Sequence, residues 1–308
     1  MRGFVSLFAF FAFACTGGPE ESPPDWPGEG TIAVSSGRLW VSVVGDPVAF
    51  DVLIAVHGGP GMSSGYLSDL DTLAAPSEAS PALSVARYDQ RGCGDSSVGF
   101  DDADQDMDAQ VADLLAVCDA VAGERPVHVL GHSWGGLVAA MFASEHPERV
   151  RSLILVSSMP ADGRASIEAD GEMGRHLVDL EGRGVIPSAR ILPTSAKAFR
   201  SLLPVYFHDP KFEPPEALRE TSFSPRAYGL ALRELGRDYD VRDEVGEIRC
   251  PTLIVFGESD PFGQAMGRSM QDALTRSQVE WFDLPRCGHF WQENPEPFYA
   301  RLREFLAR

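Results

Sequence analysis

The sequence predicts an α/β fold: a mostly parallel, doubly wound sheet with a helical cap inserted in it. Three features predict this. Val/Ile/Leu-rich runs recur along the chain and are mostly continuous rather than alternating, as in strands buried on both faces. Apolar stripes at helical spacing lie between them. One long stretch, residues 160–247, carries no such run. Strands alternating with helices imply a parallel sheet with helices on both faces.

The elements follow in order. Residues 1–14, MRGFVSLFAFFAFA, set one Arg before a short apolar run. That run is well short of the ~20 apolar residues of a membrane span, and it reads as a secretory signal peptide. Cleavage after Ala14 gives a periplasmic or secreted protein. If lipid is then attached to Cys15, the product is a bacterial lipoprotein anchored in the cell envelope. The segment resembles a lipobox, with Ala12 where Leu is usual. A Cys at the cut and a Pro/Gly-rich stretch after it favour lipidation. Residues 15–30 read as a flexible tether, because eight of the 15 residues from Thr16 to Gly30 are Gly or Pro.

Residues 31–159 form the first part of the core. Its strand-like runs are Thr31–Ser35, Arg38–Val44, Phe50–Val56, Leu83–Tyr88, Val127–Leu130 and Ser152–Ser157. The first two, around Ser36-Gly37, suggest an antiparallel hairpin. Helical patterns cover Asp106–Val121 and Leu137–Glu145. Residues 160–247 read as the helical cap, with pieces such as Ser195–Leu203 and Pro215–Thr221. Residues 248–308 resume the sheet at Thr252–Phe256 and Val279–Leu284, then close with a helix at Pro295–Leu306.

Composition narrows the function. Asp+Glu outnumber Lys+Arg 45 to 26, a formal charge of −19. Such a surface repels phosphate backbones, which argues against nucleic acid. The expected partner is a small molecule or short peptide, with membrane contact only through an N-terminal lipid. Five cysteines are too few for a disulfide scaffold. Cys250 and Cys287 fall at opposite ends of parallel strands, and no structural disulfide is expected. No Cys/His cluster has zinc spacing, and the Gly-rich loop lacks the Lys-Ser/Thr of a phosphate loop, so neither metal nor cofactor is expected.

The chemistry sits at strand ends. Val127–Leu130 runs into Gly131-His132-Ser133-Trp134-Gly135-Gly136, a G-x-S-x-G between a strand and a small-residue helix. Ser133 is therefore the candidate nucleophile. Ser63, in the second match Gly61–Gly65, is assigned to a loop. A Ser hydroxyl needs a base and an orienting acid. His289 follows the last strand, where a loop can reach over the sheet edge. Asp260 follows the strand before it, with Glu258 and Asp162 as fallback acids. For the oxyanion, donors are expected from the N–H groups of Trp134 and Gly59, with Gly58 as the near alternative.

His57-Gly-Gly-Pro-Gly61, Asp89-Gln-Arg-Gly-Cys-Gly94 and Ser133-Trp-Gly-Gly136 together resemble the proline iminopeptidases and related serine hydrolases of the α/β-hydrolase superfamily. The resemblance covers residues 31–159 and 248–308. It implies the α/β-hydrolase fold, a cap over the active site and no metal. It also implies recognition of a free N-terminal amine by cap carboxylates, though no cap Glu or Asp is singled out by its context. His132 departs from the G-G-S-W-G usual in those peptidases. The function expected is a Ser133-Asp260-His289 hydrolase that removes an N-terminal residue, proline first, through an acyl-enzyme. The alternatives are an esterase, lactonase or amidase with the same triad, and a non-catalytic binding protein on the same fold.

Overall fold

The computed structural model describes residues 25–35, 37–77, 82–98, 105–188, 190 and 194–308. The segment read as a signal peptide, Cys15 and the stretch read as tether up to residue 24 lie outside the described residues. Among the described residues nine strands make one sheet: β1 (Gly28–Val34), β2 (Gly37–Val44), β3 (Val52–Val56), β4 (Ser84–Tyr88), β5 (Ser97–Val98), β6 (Val127–His132), β7 (Val150–Val156), β8 (Thr252–Gly257) and β9 (Val279–Leu284). Their order is β1-β2-β4-β3-β6-β7-β8-β9, with β5 beside β2. The pairings of β2 are antiparallel; those from β4 through β9 are parallel.

The continuous apolar runs have a direct cause. Every residue of β3, β6 and β8 is buried. Side chains alternate across the sheet, so Val52, Ile54 and Val56 join one core while Leu53 and Ala55 join the other. Helices α1 (Met107–Ala122) and α2 (Trp134–Glu145) pack on the first of these faces. Asp106 caps α1 by accepting from the Ala109 N–H at 2.8 Å.

The cap carries α3 (Gly163–Gly182), α4 (Ala196–Leu202), α5 (Glu216–Arg219) and α6 (Pro225–Leu235). Its two ends are tied together at the base. The Gly163 N–H donates to the Tyr239 carbonyl at 2.7 Å, and the Val241 N–H to the Ala161 carbonyl at 2.9 Å. Helices α7 (Arg242–Val245), α8 (Ala265–Ala273) and α9 (Pro295–Leu306) complete the chain.

Differences from the sequence reading are local. β1 starts at Gly28, inside the stretch read as tether, because strand pairing with β2 needs backbone rather than side chains. Trp26 also joins the fold, donating its indole N–H to the Ala120 carbonyl at 3.0 Å. β5 was not expected; two residues give no readable period. Cys93, Cys118, Cys250 and Cys287 are free.

Candidate active site

Ser133 stands between β6 and α2 with φ 55° and ψ −120°. A non-glycine residue at positive φ is uncommon and marks strain. The flanking glycines make the turn possible. A Cβ on Gly131 would lie 2.2 Å from the Gly135 carbonyl oxygen, and one on Gly135 2.3 Å from that of Val56. The Ser133 N–H donates to the Val156 carbonyl at 3.0 Å, which pins the turn to β7. Ser133 itself is only partly covered.

His289 follows β9. Its N–H donates to the Tyr206 carbonyl at 2.7 Å, so the cap holds this loop. Gly288 permits that approach, since a Cβ there would lie 2.1 Å from the same oxygen. His289 Nδ1 lies 2.9 Å from Asp260 Oδ2, and both side chains are buried. A carboxylate only accepts, so Nδ1 carries the proton and Nε2 keeps a free lone pair. The other candidate acids are engaged elsewhere. Glu258 accepts from the Arg286 N–H. Asp162 caps α3 through the Ala165 N–H and accepts from the Ser269 hydroxyl. Ser63 pairs with cap residue Ser222 through backbone and side chain.

The two expected oxyanion donors also differ from their alternative. Trp134 is the first residue of α2, so its N–H has no acceptor within the helix. The Gly58 N–H is occupied, donating to the Tyr66 hydroxyl at 2.7 Å. Gly59, at φ +126°, lines the cavity beside Ser133. The D-Q-R-G-C-G segment holds this turn. The Gln90 N–H donates to His57 Nε2 at 2.9 Å, the Gln90 amide donates to the His57 carbonyl, and its oxygen accepts from the Trp134 indole at 3.0 Å.

Ser133 opens onto two lobes. The smaller, about 90 Å³, is walled by Met62, Phe199, Tyr206, Phe223 and His289. The larger, about 340 Å³, lies between α3 and α6 and is lined by Met159, Ile167, Asp170, Leu232 and Arg237. Tyr228 and Phe262 line both. Among the described residues, Asp170 is the one carboxylate lining either lobe. Partial enclosure raises its pKa, and Arg237 pulls it back.

A family model described as the alpha/beta hydrolase family matches residues 53–301. The chain belongs to that family. The proline iminopeptidase of Lactobacillus helveticus is 29% identical over 296 residues, covering 90% of this chain and 97% of that protein. The one from Lactobacillus delbrueckii subsp. bulgaricus is 31% identical over 291 residues, covering 88% and 93%. The crystal structure of proline iminopeptidase from Mycobacterium smegmatis matches with TM-score 0.66 and 26% identity, covering 90% of this chain and 97% of that one.

Within this hydrolase the sequence reading missed Tyr66, Asp69 and Asp170. The first two lie in a 3-10 segment, Ser64–Ala74, whose buried Leu67, Leu70 and Leu73 repeat every three residues and mark a core face, not a site. Asp69 accepts from the Trp291 indole at 2.9 Å, steadying the chain just past His289. Burial pushes its pKa up to about 6, against the pull of hydrogen bonds from Trp291, Tyr299 and Gln292. A raised carboxyl contributes stability that is full below its ordinary value and lost as pH rises through the folded one. The melting temperature of wild type minus that of Asp69→Asn should therefore grow between about pH 7.5 and about pH 4.5. A difference that stays flat over this range would reject the shift.

Proposed function

We propose that this chain is a serine hydrolase that removes an N-terminal residue, proline first, from short peptides. The observation that carries it is His289, hydrogen-bonded to a buried Asp260, lining one cavity with a Ser held at positive φ. Ser133 Oγ attacks the carbonyl carbon as its proton passes to His289 Nε2. The Gly59 and Trp134 N–H groups receive the developing oxyanion. As the C–N bond breaks, His289 returns the proton to the leaving amine. Water, deprotonated by the same nitrogen, then releases the acid and restores the Ser133 hydroxyl. Asp260 holds the imidazole tautomer throughout.

For the substrate, the support is the similarity to the proline iminopeptidases together with the two lobes. The aromatic lobe suits a small apolar ring. Asp170, whose charge acts on the Tyr228 phenol shared by both lobes, offers an anchor for a protonated amine. A fluorophosphonate probe tests the chemistry. Labelling should map to the peptide containing Ser133; folded wild type that resists the probe would instead favour a non-catalytic binding protein.

We also propose export and a lipid on Cys15, on the sequence of residues 1–15 alone. Among the described residues no helix is long and apolar enough to cross a membrane. Palmitate incorporated in bacterial cells should disappear in Cys15→Ser; persistence would move the lipid to another residue, and no label on wild type would leave a plain secreted enzyme.

A further inference from the structure

We propose that Tyr66 and His132 are positioning residues. They form a directed hydrogen-bond relay that fixes the oxyanion turn against the loop carrying His289. The proposal rests on the triad reading above and explains a residue that reading leaves unused.

The direction of the relay is set by its ends. The Gly58 N–H can only donate, so the Tyr66 oxygen accepts from it at 2.7 Å. The His289 carbonyl can only accept, so His132 Nε2, 3.0 Å away, carries a proton. A neutral His132 then accepts at Nδ1, and the Tyr66 hydroxyl donates to it at 2.7 Å. Every donor and acceptor is used once, with no alternative orientation. A second proton on His132 would turn Nδ1 into a donor and leave the buried Tyr66 O–H without its acceptor. Burial, reinforced by His289 nearby, keeps His132 well below the usual imidazole range. Tyr66 and His132 are each 1% exposed, so water does not compete for these bonds.

What the relay joins gives it its role. Gly58 directly precedes Gly59, the candidate oxyanion donor. The His289 carbonyl belongs to the candidate base itself. Gln292 also donates its amide N–H to the Tyr66 carbonyl at 3.0 Å, so the segment bearing Tyr66 holds the His289 loop twice. Glycine in place of His132, as in G-G-S-W-G, has no side chain to carry the middle of the relay.

The test is the rate of fluorophosphonate labelling of the full chain. It is separated into the bound-probe rate kinact and the binding constant KI. Phosphonylation uses the same base and oxyanion donors and does not depend on knowing the natural substrate. Tyr66→Phe keeps the ring that packs edge-on against His132 and Phe290 and removes only the hydroxyl. It should lower kinact roughly 10–100-fold through misplacement of the turn, with KI within about twofold. His132→Leu should do the same. His132→Gln, whose amide can still donate to the His289 carbonyl, should recover part of the loss. A folded Tyr66→Phe with wild-type kinact overturns the relay, as does a loss carried in KI. If His132→Leu fails to fold, Tyr66→Phe and His132→Gln decide the matter. Ser133→Ala separates the two readings: persistent labelling there sinks the triad, whereas normal loss there with wild-type kinact in Tyr66→Phe sinks only the relay.

Discussion

Asp260→Asn should lower kcat roughly 10⁴-fold, and Ser133→Ala at least as much, each with KM changed only a few-fold. The reason for the first is the tautomer. In the wild type Asp260 accepts a hydrogen bond from His289 Nδ1 at 2.9 Å. Asn can turn its NH₂ toward that nitrogen, which moves the imidazole proton to Nε2. The base then has no lone pair facing Ser133. The double variant should be no worse than Ser133→Ala, because the two groups act as one unit. Asp162→Asn is the control. Asp162 caps α3 and touches Ser269, so its loss should leave kcat near wild type. Equal losses from Asp162→Asn and Asp260→Asn, measured on any turned-over ester or anilide, would reassign the acid.

That contrast also shows what the sequence could carry. The turn that holds Ser133 was legible because the candidate chemistry and the fold share one motif. The glycines at 131 and 135 stand where a Cβ would overlap backbone oxygens, so they appear in the sequence as a pattern. The pairing of Asp260 with His289 was legible from chain order plus strand ends, since a parallel sheet brings successive C-terminal ends to one edge. The choice between Gly58 and Gly59 was not legible. It depends on a hydroxyl eight residues on, Tyr66, which sits among the apolar positions of a 3-10 segment and reads from sequence as core. Asp170 was hidden for a different reason. Helix α3 carries several acids, and what singles one out is the cavity formed when α6 folds opposite it. The tether reading met the same limit at Trp26, whose indole is fixed by α1 from 94 positions away.

The substrate prediction turns on that hidden carboxylate. If Asp170 receives a protonated α-amine, blocking the amine removes a charge-assisted hydrogen bond worth about 1.5–3 kcal/mol. At ~1.4 kcal/mol per tenfold, an N-acetylated substrate should lose roughly 10–150-fold in kcat/KM. Arg237 faces the same lobe and partly offsets Asp170, which places the expected value toward the lower end. Three substrates separate the possibilities on purified protein: proline p-nitroanilide, its N-acetyl derivative and a short-chain p-nitrophenyl ester. The free-amine anilide should be cleaved and the blocked one disfavoured. In Asp170→Asn the preference should collapse through loss of the free-amine reaction, with the ester reaction little changed. A preference that survives in Asp170→Asn would move the anchor to another group. Efficient ester cleavage without any anilide turnover would retire the aminopeptidase and leave the same triad to an esterase or lactonase. That outcome would also fit a lobe whose other walls, Met159, Ile167 and Leu232, offer an acyl chain apolar surface and no second carboxylate.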